Sequence, residues 1–329
     1  MQAVWYEKTG AADDVLKLTE LPDPEPGPGE VRVRVASSGV NPSDVKTRAG
    51  ARGGLVWPRV VPHSDGGGVI DAVGAGVDAG RIGQRVWIWN AAWQRAHGTC
   101  AEFVALPAAQ AVPLPECVDF RAAACLGIPA STAWHAVFAD GPVRGKTLLV
   151  TGGAGAVGHY AIQFARRGGA RVITTVSGER KAEHARSAGP DAIVNYRSDS
   201  VVQQILAASD GQGVDRIVEV ELGGNLAVTA QVIRPHGVIA AYGSMAVPEP
   251  ALPFYPLMFR GVTLRTLLVY LLDGAARRAV IDGIGEALAS GELVHAIAGS
   301  FALDEVAAAH RAVESGACIG NVVVEIPML

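Results

Sequence analysis

The chain has 329 residues, of which 49% are hydrophobic and 18% charged, and its 28 basic and 32 acidic residues give a net charge of -4. This composition is typical of a globular protein and excludes a disordered or fibrous chain. The length is greater than one ordinary core accommodates and predicts two domains. The sequence contains no dense Lys/Arg run and no apolar run of ~18 residues, so we expect neither nucleic-acid nor membrane binding.

The cysteines and the N-terminal sequence indicate the cellular compartment in which the protein is expected. The N-terminal sequence enters a strand pattern directly, without the apolar region of a secretory signal. The four cysteines lie far apart and form no C-x-x-C pair, which indicates scattered thiols in a reducing compartment. We therefore expect a cytoplasmic protein without a disulfide framework, its thiols being Cys100, Cys117, Cys125 and Cys318.

The first third of the chain is rich in predicted strands. Residues 21–30 contain too much proline and glycine for a helix and lead into the alternating segment 31–35. Further strands are predicted at residues 68–73, 85–89 and 100–106. Short strands of this kind predict a compact, barrel-like β domain.

From Phe120 the pattern changes to a helix over residues 120–138 and then to alternating strands and helices. Strands ending near Val176, Val194, Val220 and Tyr242 predict a doubly wound parallel sheet. A long apolar strand at 262–270, two helices at 274–290 and 303–315, and a closing strand at 321–326 follow. We expect one domain at 120–270, and another at 1–119 that residues 271–329 complete.

A glycine-rich turn joins the first strand of the predicted sheet to the next helix. Leu148 to Val150 are apolar, and Gly153, Gly155 and Gly158 follow with the spacing G-x-G-x-x-G. In a dinucleotide-binding turn the first glycine permits the bend, the second admits the pyrophosphate, and the third lets the helix pack against the strand. Because a strand precedes the motif and a second strand follows at βαβ distance, we interpret it as a dinucleotide site.

Several segments together resemble the medium-chain dehydrogenase/reductase superfamily, and most closely its zinc-free NADPH:quinone oxidoreductase branch related to zeta-crystallin. The matching segments are the glycine turn and residues 39–50, 62–74, 126–137, 194–196 and 237–244. The resemblance implies an α/β protein with a GroES-like β-barrel catalytic domain and a Rossmann domain. It also implies NADPH in the cleft between the domains and a homodimer in which strand 262–270 pairs with its twin.

The resemblance also predicts that no metal is bound. The zinc-ligand positions of the superfamily fall on Asn41, Ser64 and Ile128, and these side chains cannot form the nitrogen- and sulfur-rich shell that Zn²⁺ prefers. His63 is displaced by one residue from the ligand position, at a glycine position of the zinc enzymes. We therefore expect neither a catalytic nor a structural zinc.

The end of the second strand of the sheet favours NADPH over NADH. Ser177 stands where NAD-binding folds carry an acidic residue, and Arg180 and Lys181 follow with positive charge. The resemblance places Tyr196 beside the 2′-phosphate. Arg180 and Lys181 also fit a solvated helix face, and Glu179 also fits a hydrogen bond to an NAD ribose.

The resemblance assigns the remaining cofactor contacts. The pyrophosphate is expected on Gly155, Ala156, Val157 and Gly158, with Asn41 and Thr132 near the nicotinamide. Backbone facing the nicotinamide half is expected at Tyr242, Gly243, Ser244, Met245, Leu267, Leu268 and Val269.

Asn41, Lys46 and Thr132 are the candidate catalytic residues. Asn41 precedes Pro42, so a turn residue is the alternative interpretation. Lys46 stands where close relatives carry a tyrosine, and it either stabilises a developing oxygen anion or points outward with Arg52. His135, His159 and His310 lie on apolar helices, and we interpret them as hydrogen-bonded structural histidines.

The sequence predicts NADPH-dependent reduction of quinones, which are electrophilic enough to need positioning more than Lewis-acid activation. One alternative is reduction of the activated double bond of an enal or enone. Another is a non-catalytic NADPH-binding protein, crystallin-like or RNA-binding.

Overall fold

The computed structural model describes residues 1–328, and its chain divides into two compact units. The first consists of Met1–Ile128 and the segment that begins at His295. The second consists of Pro129–Val294. The sequence placed the boundaries at 119/120 and 270/271. In the structure both boundaries lie later in the chain, at 128/129 and 294/295. The second one moves because the helix at 274–289 packs on the helix at 131–138, with Gly283 directly against the Trp134 indole.

The first unit is built on a seven-stranded, mostly antiparallel sheet of order β14-β15-β3-β4-β5-β7, with β6 also paired to β3. A two-stranded sheet, β1-β2, accompanies it. The strands are β1 (Gln2–Trp5), β2 (Lys17–Glu20), β3 (Glu30–Val40), β4 (Asp65–Val73), β5 (Arg85–Ile88), β6 (Phe103–Pro107), β7 (Ala111–Pro113), β14 (Ile297–Ala302) and β15 (Asn321–Glu325).

Alternation along β3 shows why this sheet encloses a core. Val31, Val33 and Val35 are fully buried, whereas the intervening Arg32 and Arg34 are not. Four helices belong to this unit: α1 (Ala12–Val15), α2 (Pro42–Ala49), α3 (Phe120–Ala123) and α11 (Val306–Glu314). Strand β15 pairs antiparallel with β3, so residues 321–325 belong to the sheet of the first unit.

The second unit contains a six-stranded parallel sheet of order β10-β9-β8-β11-β12-β13. Its strands are β8 (Thr147–Val150), β9 (Arg171–Val176), β10 (Ala192–Asn195), β11 (Val214–Glu219), β12 (Ile233–Ala241) and β13 (Thr263–Thr266). Its helices are α4 (Ser131–Phe138), α5 (Ala156–Arg167), α6 (Glu179–Arg186), α7 (Val201–Ala208), α8 (Leu222–Val232), α9 (Phe254–Met258) and α10 (Gly274–Ala289).

The strand order determines where a ligand can bind. The chain runs from β8 outward to β10, then returns to β11 beside β8 and continues outward to β13. A crevice forms at such a reversal, outside the carboxyl ends of the two central strands. The α/β fold class and the parallel doubly wound sheet are confirmed.

Two predicted elements are wrong in extent. The predicted helix 120–138 is broken by a π-helical turn at Leu126–Ala130, which contains Gly127 and Pro129, and proline lacks the N–H that a continuous helix requires. The predicted strand 262–270 ends after Thr266. Val269 and Tyr270 are instead buried in a short 3₁₀ turn, because burial of these side chains prevails over extension of an edge strand.

Neither a membrane-spanning helix nor a disulfide is present in the described part of the chain. No helix there is long and apolar enough to cross a membrane. All four cysteines are free; Cys100 and Cys125 are buried, and Cys117 is exposed.

Candidate functional site

The glycine turn leaves an open set of backbone donors at the start of α5. The first N–H groups of this helix, at Ala156, Val157 and Gly158, have no acceptor within the helix. They lie on the crevice side of β8, where the helix dipole also favours an anion. Gly155, the residue before the helix, has no side chain with which to cap these donors.

The three glycines of the motif differ in what a Cβ at each position would meet. A Cβ on Gly153 would lie 2.0 Å from the Thr174 hydroxyl, and one on Gly158 would lie 2.3 Å from the Gly152 carbonyl. A Cβ on Gly155 would meet only that same carbonyl, at 3.3 Å. Packing therefore requires glycine at the first and third positions, whereas the space beside Gly155 is open. This open cradle fits a pyrophosphate.

A buried carboxyl group connects the two strands at the point of reversal. Glu219 ends β11 and is completely buried, and its Oε1 accepts hydrogen bonds from the Thr151 hydroxyl (2.8 Å), the Glu221 N–H (2.7 Å) and the Asn225 amide (2.8 Å). Because Thr151 follows β8, the carboxyl group links the ends of β8 and β11. Burial raises the pKa of Glu219. Sequence reasoning missed this residue, although an acid ending an apolar strand was a visible signal.

The candidate 2′-phosphate residues lie together at the ends of β9 and β10. Asn195 is in register with Val176, and the Tyr196 N–H donates to the Val176 carbonyl at 3.0 Å. Ser177 follows Val176 directly, and Lys181 lies in the first turn of α6. Tyr196 is 46% exposed and therefore accessible to a ligand.

Glu179 is engaged elsewhere. Its carboxylate pairs with Arg186 at 2.7 Å across the exposed face of α6. This ion pair competes with the hydrogen bond to an NAD ribose that the sequence left open. Arg180 is exposed at the start of the same helix.

The segments expected beside the nicotinamide follow β12 and β13. The Tyr242 N–H donates to the Glu219 carbonyl at 3.0 Å, and the Leu267 N–H donates to the Ala241 carbonyl at 2.9 Å. Gly243, Ser244 and Leu268 continue these two segments, while Val269 is buried and its carbonyl accepts from Arg277 at 2.5 Å.

Glu221 holds the loop after β12. Its carboxylate accepts the Met245 N–H at 2.6 Å and the Ala246 N–H at 3.1 Å, and it also caps α8 through the Gly224 N–H. The Met245 N–H is therefore directed to Glu221 and not to a ligand. Partial burial is the largest single effect on the pKa of Glu221 and would raise it. The hydrogen bonds from several backbone N–H groups together outweigh burial, so the pKa is lowered.

Asn41 is both the predicted turn residue and part of a buried polar network. It precedes α2, and its backbone N–H donates to the Asp44 carboxylate at 2.8 Å, as in a capping box. Its side-chain amide donates to Asp65 Oδ2 at 2.9 Å, and the same oxygen accepts the Ile128 N–H at 2.9 Å. Asp65, which is fully buried, was not identified from the sequence.

Lys46 and Thr132 lie in different units. Lys46 is half-buried in the middle of α2, in the first unit with Asn41. Thr132 is buried in α4 of the second unit. Asn41 and Lys46 therefore belong to the first unit, at the start and in the middle of α2, whereas Thr132 belongs to the second unit, which contains the glycine turn.

Residues at and beside the expected zinc-ligand positions form hydrogen bonds with other protein groups. The His63 ring bonds Ser38 and His310, each at 2.9 Å. Ile128 contributes a backbone N–H to Asp65, and Ser64 is buried. Across residues 1–328 no group of three or more His, Cys, Asp and Glu side chains is arranged to hold a metal ion.

The three helix histidines differ in their bonding. His159 is satisfied on both ring nitrogens, by Ser187 at 2.9 Å and by Gln163 at 3.0 Å. His310 uses only Nε2, and its Nδ1 is buried with no hydrogen-bond partner among the described residues. His135 is half-buried and lies beside Arg265 at a cavity of about 340 Å³.

Two family models match the chain. The model for the alcohol dehydrogenase GroES-like domain covers residues 27–116, and that for zinc-binding dehydrogenase covers residues 156–284. A 2-haloacrylate reductase from a Burkholderia species is 31% identical over 98% of both chains. The quinone oxidoreductase of Rattus norvegicus is 32% identical over 70% of this chain and 69% of its own. The chain belongs to the medium-chain dehydrogenase/reductase superfamily and is an oxidoreductase of that family.

A larger relative and two solved structures extend the comparison. One polypeptide of the Mycobacterium tuberculosis phenolphthiocerol/phthiocerol polyketide synthase is 29% identical over 95% of this chain, which spans only 14% of that protein. A solved NAD-dependent alcohol dehydrogenase has a TM-score of 0.89 at 29% identity, covering 99% of this chain and 100% of its own. A mycobacterial protein solved with NADPH has a TM-score of 0.87 at 28% identity, with the same coverage.

The buried Asp44 gives a pH prediction. Burial raises its pKa from 3.8 to about 7, against the opposing effect of its hydrogen bonds to Asn41 and of the charge on Arg52. Its folded-state pKa therefore lies above the unfolded value. The associated stability is fully present below pH 4 and is lost as the pH rises to 7. We expect Asp44→Asn to remove this slope, so that wild type loses up to about 4 kcal/mol relative to the variant between pH 4 and pH 8.

Urea denaturation across this range measures the difference. The exposed Asp210, whose side chain is 74% accessible, provides the control substitution Asp210→Asn. Parallel pH curves for wild type and Asp44→Asn would contradict the prediction.

Proposed function

We propose that this protein binds NADPH and reduces quinones without a metal. The observation that carries the proposal is the open cradle at Gly155, where three unbonded helix N–H groups lie at the reversal point of a parallel sheet. The quinone oxidoreductase relative and the neighbour solved with NADPH support it. When bound, NADPH supplies a hydride.

The second unit provides residues for each part of that cofactor. The N–H groups of Ala156, Val157 and Gly158 bind the pyrophosphate. The positive charge of Lys181 and Arg180, with Ser177 and Tyr196, accommodates the 2′-phosphate without repulsion. The nicotinamide half contacts Thr132 and the segments after β12 and β13, namely Tyr242, Gly243, Ser244, Leu267, Leu268 and Val269.

In the first unit, Asn41 positions the acceptor. A carboxylate only accepts hydrogen bonds, so the amide nitrogen of Asn41 faces Asp65, and this assignment is unambiguous. One N–H of the amide is used there, and we infer that the other donates to the acceptor oxygen. Lys46, four residues into the same helix, stabilises negative charge that develops on that oxygen.

A second candidate function is reduction of an activated carbon–carbon double bond. The 2-haloacrylate reductase, which matches along 98% of both chains, favours it. The same donors, Asn41 and Lys46, would then bind the carbonyl or carboxylate oxygen that polarises the double bond.

A panel of acceptors distinguishes these reactions. We expect anaerobic NADPH oxidation with 1,4-benzoquinone, 1,2-naphthoquinone and 9,10-phenanthrenequinone, unchanged by a strong chelator. Turnover only with crotonaldehyde or an aryl enone would replace the quinone proposal with the second candidate. Loss of activity in chelator, or one tightly bound zinc per chain, would refute a metal-free site. Tight NADPH binding without turnover of any acceptor would indicate a non-catalytic protein.

Substitutions in the glycine turn separate binding from folding. Gly155→Asp places a carboxylate in the cradle, and its Cβ meets only the Gly152 carbonyl, at 3.3 Å, so we expect NADPH affinity to fall at least 100-fold with a small change in Tm. Gly158→Ala is the matched control, since its Cβ would lie 2.3 Å from a carbonyl oxygen and should lower Tm. Calorimetric titration and thermal unfolding measure the two effects. Unchanged NADPH affinity in Gly155→Asp would exclude this turn as the cofactor site.

Cofactor preference depends on Lys181. We expect Lys181→Ala to weaken NADPH binding by about 1–3 kcal/mol, the scale of a charge-assisted contact, and to leave NADH binding unchanged. Glu183→Ala, which changes an exposed charge on the same helix, is the control. Equal losses for both nucleotides would assign Lys181 a structural role only.

We also propose a homodimer through β13. This strand is at the edge of the parallel sheet; its own Leu264 is exposed, and so are Leu268 and Leu271, which follow it. An edge with apolar side chains pairs readily with another strand. Light scattering at micromolar concentration should give twice the chain mass, and Leu271→Glu should lower it. A single-chain mass for the wild type would refute the dimer.

A further inference from the structure

His63 has a backbone conformation that is unfavourable for residues other than glycine. Its φ is +76°, in the left-handed region that glycine adopts without cost. A non-glycine residue there is strained and persists only when its surroundings compensate. The side chain is fully buried, so the compensation must come from its contacts in the core.

Both ring nitrogens of His63 are hydrogen-bonded. Nδ1 lies 2.9 Å from the Ser38 hydroxyl, and Nε2 lies 2.9 Å from Nε2 of His310 on α11. The ring centroids lie 5.1 Å apart and the planes differ by 23°, so with Nε2 atoms 2.9 Å apart the two rings meet edge to edge at these nitrogens. Burial lowers the pKa of both rings, that of His310 to about 3, so each is neutral at pH 7.

The direction of every proton in this chain of bonds can be derived. The Thr99 hydroxyl donates to the Asp65 backbone carbonyl at 2.6 Å, because a carbonyl can only accept. Ser38 must then donate to Thr99 at 2.7 Å, and Nδ1–H of His63 must donate to Ser38. Nε2 of His63 is left as an acceptor, so His310 donates its Nε2–H.

The chain of bonds ends on a backbone carbonyl and so cannot deliver a proton to a substrate. It does fix Asp65, whose carboxylate holds the Asn41 amide and the Ile128 N–H, both at 2.9 Å. His310 therefore connects α11, through four side chains of the first unit, to the residue at the start of α2. All of these groups are buried, where a hydrogen bond is stronger than in water.

We propose that His63 and His310 are positioning residues that hold Asp65, and through it the amide of Asn41, in one orientation. The network takes the place of a metal shell in fixing the acceptor side of the site. The proposal rests on the proposed function only in that Asn41 binds the acceptor; the orientation itself is testable without turnover.

His310→Phe removes the N–H donor and retains an aromatic ring. Side-chain amide hydrogen exchange of Asn41, followed by ¹⁵N NMR, should accelerate at least tenfold. His63→Gly relieves the backbone strain but removes the ring, and it should accelerate exchange similarly. Ile70→Ala is the control, because it destabilises the same sheet in β4 without touching the network. Equal exchange in His310→Phe and Ile70→Ala, or unchanged exchange in both histidine variants, would overturn the proposal.

The kinetic arm is a double-mutant cycle with Asn41→Ala. His310→Phe should lower kcat/KM for the quinone about tenfold with NADPH affinity unchanged, and it should have no further effect when Asn41 is absent. Losses that simply multiply would show that His310 does not act through Asn41. If the wild type reduces no acceptor, the proposed function fails, and the exchange rates alone still decide the role of the histidines.

Discussion

Three backbone N–H groups at the start of α5 lack an intrahelical acceptor, and the packing of the glycine turn leaves the space in front of them open. The strand before them, the tight turn and the close packing of helix on sheet all require glycine at Gly153 and Gly158, where a Cβ would collide. A Cβ on Gly155 would meet only the Gly152 carbonyl, at 3.3 Å, so packing constrains this position less than the other two. Helix donors that face an open space favour an anion.

In each unit, carboxyl groups that accept several hydrogen bonds hold the candidate site residues in place. Glu219 joins β8 to β11, and Glu221 holds the loop after β12 by two of its backbone N–H groups. In the first unit Asp65 does the same for Asn41 and Ile128. Each of the three accepts several hydrogen bonds, which offsets the cost of removing its charge or dipole from water.

The first unit fixes the side chain of Asn41 through buried hydrogen bonds. The resemblance to the superfamily places its zinc-ligand positions at Asn41, Ser64 and Ile128. Two of these three are linked through Asp65, and His63 beside Ser64 is tied to Ser38 and His310. Buried hydrogen bonds of this kind hold their side chains in defined orientations, although Nδ1 of His310 has no partner among the described residues. The strained backbone of His63 is consistent with a side chain retained for its bonds.

The sequence alone determined the fold class, the parallel sheet and the glycine turn, because strand periodicity and glycine spacing are local properties that propensity and sterics control. It also predicts that Ser177, Lys181 and Tyr196 act together, and the structure places Tyr196 beside Val176 because the ends of adjacent parallel strands meet at one edge. Only the tertiary structure decided that Glu179 pairs with Arg186, that the Met245 N–H is taken by Glu221, and that His63 reaches His310 across most of the chain. These are contacts between side chains distant in sequence, and their geometry depends on how the elements pack. For the same reason the break at Leu126–Ala130 and the end of β13 at Thr266 followed burial in the folded core and not local pattern.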